Sequence, residues 1–198
     1  MVIITGLGKL FFVDFLNLKF VYIITAIAFW CSYFVYRVSK NKRLINYWGL
    51  SFSNVKDTLK IVAIPGLIIL LALIIYGIFT IHFTWNILFV LITYPIWGLV
   101  QQFLMMSLFA GNLKDYNGKK INTSFIVIIT SVLFSIVHYP SLPLILVTFA
   151  MAIFYSIVFL LKRNIIPLGI FHGVLGGMFY YVVLQRDAWL EFIAVLNK

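Results

Sequence analysis

IVAIPGLIILLALIIYGIFTI, residues 61–81, is 21 residues long and carries no charged side chain. As an α-helix rising 1.5 Å per residue, it is long enough to cross the roughly 30 Å hydrocarbon core of a bilayer. The same pattern recurs on either side of it. Residues 20–36 lie uncharged between Lys19 and Arg37, and residues 83–111 precede the polar segment NLKDYNGKKIN (112–122). Residues 121–161 hold no charge, but HYPSLP (138–143) interrupts them. Its two prolines lack backbone donors and disfavour helix before them, which divides the block into two spans. A last span covers residues 164–185. The sequence therefore predicts an all-α, polytopic helical membrane protein with about six transmembrane helices in a single membrane domain, 1–198. Residues 1–18, broken by Gly6, Gly8, Lys9 and Asp14, are expected to form an interfacial or a seventh helix.

Composition supports the same class. Of 198 residues 64% are hydrophobic and 10% charged, against about half and about a quarter in soluble domains. Fifteen basic residues outnumber five acidic ones, a formal charge of +10. With six spans and Met1 outside, the inner loops hold Arg37, Lys40, Lys42, Arg43, Lys56, Lys60, Lys114, Lys119, Lys120, Lys162 and Arg163. The outer segments hold only Lys9, Lys19, Arg186 and Lys198. This asymmetry follows the positive-inside rule and places the basic loops in the cytoplasm, with the cell membrane as the expected location. Anionic membrane lipids account for the charge, so no nucleic-acid partner is expected. The lone Cys31 forms neither an internal disulfide nor a metal cluster. Ala26-Ile27-Ala28 has the small-residue pattern of a signal cleavage site, but it lies inside a full-length span that is expected to stay.

Polar groups at membrane depth carry the remaining information, because they are costly there and usually functional. The five acids, Asp14, Asp57, Asp115, Asp187 and Glu191, all lie near span ends or in loops. Carboxylate proton relays and most cation-transport sites therefore have no deep group to use. What stands deep is Gln101 and Gln102 in WGLVQQFLMM (97–106), His138 four residues after Phe134 in FSIVH, and His172 in GIFHGVLGG (169–177). A spacing of four puts Phe134 with His138, and Gln102 with Met106, on one helix face. Gly169, Gly173 and Gly177 form a small-residue stripe that admits a close neighbouring helix.

These residues resemble the CPBP family of intramembrane proteases, the CAAX-protease and bacteriocin-processing (Abi) group. Its pattern is Glu-Glu-x-x-x-Arg, then Phe-x-x-x-His, then His-x-x-x-Asn, on separate helices around a polar cavity. The matching core covers about residues 84–185. The resemblance implies an endopeptidase of glutamic type, in which the two glutamates and a histidine activate water. The other histidine and the asparagine stabilise the oxyanion. In this sequence only Phe134, His138 and His172 match. The glutamates fall on Gln101 and Gln102, the arginine on Met106 and the asparagine on Gly176. An amide does not accept a proton near neutral pH and cannot serve as general base. Glycine offers no side-chain donor to an oxyanion. Acid and cation are missing together, so neither partner of an i,i+4 ion pair is stranded in the membrane.

Three readings follow. In the first, the chain is an inactive relative that binds a peptide, a prenylated peptide or a membrane-protein partner in a cavity formed by Gln101, Gln102, His138 and His172. In the second, it is an active endopeptidase of CAAX-processing type, with a histidine activating water. The third leaves the glutamines and histidines to hydrogen-bond between helices. A small-molecule transporter, from another class, lacks a charged intramembrane residue and a visible inverted repeat. No cofactor is implied. Two histidines without a nearby carboxylate or thiolate fall short of a zinc ligand set, so no metal is expected either. His82 reads as an interfacial residue.

Overall fold

A bilayer offers no water to backbone donors and acceptors, so a spanning chain satisfies them within its own helices. The computed structural model describes residues 2–16, 18–80, 83–116 and 121–196, which form helices and short connections and contain no strand. The helices are α1 (Val2–Gly8), α2 (Lys19–Lys40), α3 (Leu44–Tyr47), α4 (Val55–Thr80), α5 (Asn86–Gln102), α6 (Asn112–Lys114), α7 (Thr123–Ile136), α8 (Leu142–Lys162), α9 (Ile166–Val182) and α10 (Ala188–Leu196). α1 continues as a π-helix, Lys9–Phe15, and α5 as a longer one, Phe103–Gly111. Val55–Thr80, Asn86–Lys114 and Leu142–Lys162 are long and apolar enough to cross a membrane, and Thr123–Ile136 and Ile166–Val182 are shorter apolar helices. The chain is a polytopic helical membrane protein.

α4 shows why the spans form where they do. It starts at Val55, before the uncharged run, because Asp57 in the first turn complements the positive end of the helix dipole. Pro65 sits inside it without ending it. Ile64, Leu67, Ile68, Leu71 and Ile78 are exposed along its length, an outer surface suited to lipid. Hydroxyls in the apolar helices bond back to their own backbone one turn earlier, Thr93 to the Phe89 carbonyl at 2.7 Å and Ser131 to Val127 at 2.8 Å. HYPSLP separates α7 from α8, with Pro143 in the first turn of α8, where a missing donor costs nothing. His82 lies outside the described residues.

The chain divides into two compact units. The first comprises residues 1–51 and 104–163, the second residues 52–103 and 164–198.

In the first unit, residues 2–15 are helical and fold back along α2. Tyr22 Oη donates to the Thr5 carbonyl at 2.7 Å, and Trp30 Nε1 to Thr5 Oγ1 at 3.3 Å. The residues that break the apolar pattern have packing roles. A Cβ on Gly6 would lie 3.0 Å from Val137, and Lys9 Nζ donates to the Tyr139 carbonyl at 2.7 Å. Val2 and Tyr33 line the same cleft. At the end of α8, Arg163 adopts a left-handed conformation (φ 51°) that costs a non-glycine residue energy. Several contacts hold it there. Its Nη2 meets Asp115 Oδ2 at 2.6 Å, its Nε donates to the Tyr47 carbonyl at 3.1 Å, and its guanidinium lies 4.4 Å from the Tyr47 ring centre. Partial burial opposes ionisation of Asp115, but hydrogen bonds from Arg163 and Tyr47, and the charges of Arg163 and Lys114, outweigh it and hold the carboxyl below its ordinary value.

In the second unit, α4 and α5 pack against α9. The Phe171 ring fills the place where a Cβ on Gly66 would stand. Beyond α9 the chain forms α10, which the sequence reading did not anticipate. It is fastened by Asn86 Nδ2 donating to Asp187 at 2.6 Å and by Tyr180 Oη donating to Glu191 at 2.8 Å.

Candidate functional site

The second unit builds its polar pair on a glycine contact. A Cβ on Gly98 would stand 2.7 Å from the Gly173 nitrogen and would also overlap the Gly169 carbonyl. One on Gly169 would stand 2.7 Å from Leu99 Cα, and one on Gly177 2.6 Å from Val90. Gly173 faces the backbone of Tyr94 and Pro95. The stripe on α9 therefore has its partner in α5, backbone against backbone, as small residues allow between membrane helices.

That closeness brings Gln101 and His172 together. His172 Nε2 lies 2.7 Å from Gln101 Oε1, so with this amide orientation the ring N–H donates. His172 is buried. Gln102, next along α5, is fully buried, and neither its Oε1 nor its Nε2 has a hydrogen-bond partner in the structure. Leaving both ends of a buried amide unmade costs on the order of 1–3 kcal/mol per group. One turn beyond His172, a Cβ on Gly176 would meet nothing within 4 Å, so there is open room where the family pattern has a longer side chain.

The first unit carries the other motif residues. Phe134 is buried at the end of α7, and His138 follows in the turn to α8. His138 Nδ1 donates to the Phe134 carbonyl at 2.9 Å, and the two rings meet edge to face with centres 5.3 Å apart. Phe-x-x-x-His is thus a local unit: the ring N–H satisfies a carbonyl that the ending helix leaves open. Thr148 Oγ1 on α8 lies 3.5 Å from the same Nδ1, a neighbour no sequence spacing announced.

Met106 is fully buried, and Ser156 Oγ points at its sulfur at 3.6 Å. The four-residue spacing from Gln102 assumed an α-helix, whereas the chain is π-wound from Phe103 onward, with more residues per turn. Nothing in the residue types signalled that change. Among the described residues, no group of three or more His, Cys, Asp or Glu is placed to hold a metal ion. Gln101, Gln102 and His172 thus fall in the second unit, and Met106, Phe134 and His138 in the first.

Residues 83–178, just under half of the chain, match the family described as Type II CAAX prenyl endopeptidase Rce1-like. This segment is similar to the Rce1-like family. It contains every motif residue named above, from Gln101 to Gly176, and is similar to the type II CAAX prenyl endopeptidases that this family describes. No curated protein and no solved structure matches the chain. The Rce1-like segment begins just before α5 and ends within α9, so it includes both helices of the glycine contact. α1, α2 and α10 lie outside it.

Proposed function

We propose that this CAAX-protease-like protein is a degenerate family member that binds a peptide or a membrane-protein partner at a polar site that includes Gln101, Gln102 and His172 of the second unit. It does not hydrolyse by the glutamic route. The observation that carries the proposal is the 2.7 Å contact between His172 Nε2 and Gln101 Oε1. At the position of a family glutamate, the imidazole meets an amide that holds its ring but takes no proton from it. Three further features support the reading. The buried amide of Gln102 has no hydrogen-bond partner at either end. Met106 provides a thioether beside Ser156 instead of a cation. Gly176 leaves space and no donor. The basic loops face the cytoplasm in this reading, with the protein in the cell membrane.

The experiment is a cleavage test on the purified protein in nanodiscs, with membrane-anchored peptides that include prenylated CAAX-type ones. The expected result is no cleavage, together with capture of a peptide by a photo-reactive residue placed at position 176. Cleavage that His172→Ala abolishes and chelators leave intact would establish the histidine-assisted endopeptidase instead.

A further inference from the structure

The first unit holds a cleft of about 280 Å³ lined by Val2, Ile3, Trp30, Tyr33, Leu108, Phe109 and Asn112. That volume is close to the lower end for small-ligand pockets. Three of its polar side chains make hydrogen bonds within the protein. Trp30 Nε1 donates to Thr5 Oγ1, Asn112 Nδ2 donates to the Leu108 carbonyl at 2.7 Å, and Tyr33 Oη accepts from Arg37 Nη1 at 3.0 Å. The larger part of what faces the space is hydrocarbon and aromatic ring. Such a surface prefers an apolar occupant to water.

The rim has the opposite character. Arg37 lies over the Tyr33 ring, 5.5 Å from its centre, and Lys40 follows at the end of α2. Lys42 and Arg43 come next in the chain, and Lys114 lies two residues after Asn112. The nearest acid in sequence, Asp115, is committed to Arg163 and Tyr47. An apolar cleft with a cationic rim is complementary to an amphiphile with an anionic head.

We infer that the cleft binds one acyl chain of an anionic phospholipid from the leaflet that the basic loops face, with the phosphate beside Arg37. The site stands apart from the Rce1-like motif residues and uses α1 and α2, which the family match does not reach. It does not depend on the function proposed above. The lipid ties the N-terminal helix to α2 and to the π-helix, and occupancy stabilises that arrangement by mass action.

The test uses the full-length protein in nanodiscs containing equal amounts of phosphatidylglycerol and phosphatidylcholine, the former bearing a diazirine on one acyl chain. Native mass spectrometry is expected to show one retained phosphatidylglycerol, and the photo-adduct is expected to map to Trp30, Tyr33 or Phe109. Arg37→Gln is expected to lower retention roughly fivefold, the contribution of one basic side chain at an anionic surface. Ile3→Trp, at a half-exposed lining position, is expected to block the cleft without disturbing a packed core. Equal retention of the two lipids, adducts elsewhere on the protein, or unchanged retention in both variants would overturn the assignment. So would a farnesylated peptide that takes the cleft in preference to phosphatidylglycerol.

Discussion

Replacing Gly98 by alanine tests whether the contact between α5 and α9 sets the geometry of the polar pair. The added methyl would stand 2.7 Å from the backbone nitrogen of Gly173, whereas ordinary contact begins near 3.4 Å. The obstacle is backbone, so no side chain can swing aside, and the helices must part by at least about 0.7 Å, more where the Gly169 carbonyl is met. Overpacking of this kind costs roughly 1–3 kcal/mol. The same separation stretches the Gln101–His172 contact from 2.7 Å to about 3.4 Å, forfeiting about another 1 kcal/mol. Alanine returns up to about 1 kcal/mol through its better helix propensity. A net loss of about 1–3 kcal/mol is expected. Gly176→Ala, where a methyl meets nothing within 4 Å, is the matched control and is expected to be neutral or stabilising by up to about 1 kcal/mol. Equilibrium unfolding in mixed micelles measures both. Equal stability of the two variants would refute the reasoning, because it would mean that the helices do not meet at Gly98.

Other perturbations read other parts of the structure. Met106→Arg buries a cation beside the Ser156 hydroxyl, and a loss of about 3 kcal/mol or more is expected in the same unfolding measurement. Gln101→Ala removes the acceptor from His172 Nε2 and is expected to cost about 1–2 kcal/mol and to reduce peptide capture at position 176. Asp115 has its carboxyl held below its ordinary 3.8, so the stability it contributes is complete above that value and fades as the pH falls through the lowered one. Because Asp115 is well exposed, Asp115→Asn is expected to cost less than about 1 kcal/mol at neutral pH. The variant should converge with the parent in thermal midpoint once the pH is below the lowered value, and a difference that persists there would contradict the ion-pair origin.

The sequence disclosed the spans because membrane hydrophobicity is written continuously along the chain, as in residues 61–81, and charge marks its limits. HYPSLP was legible for the same kind of reason: proline chemistry acts on its immediate neighbours. The stripe Gly169, Gly173, Gly177 announced a close helix but not which one, since the partner surface at Val90, Tyr94, Pro95 and Gly98 is mixed in residue type. Residues 1–18 were harder. Gly6 and Lys9 look like interruptions until their contacts with Val137 and the Tyr139 carbonyl are seen, and those lie some 130 positions away. The π-helix at Phe103–Gly111 left no local signal, because its winding comes from packing and not from residue preference. At the candidate site the meeting of Gln101 with His172, like Ser156 beside Met106 and Thr148 beside His138, depended on tertiary placement.

The glycine contact has a consequence for how such a protein can change. Gly98, Gly169, Gly173 and Gly177 contribute no functional group, and Gln101 and His172 contribute none of the backbone contact that positions them. Shape and reactivity are therefore encoded at different positions of the same two helices. Substitutions at 101 and 176 can remove a proton acceptor or an oxyanion donor while the backbone contact beneath them stays as it is. A protein built in this way can lose a reaction without losing the place where the reaction would occur, and that place is then available for recognition.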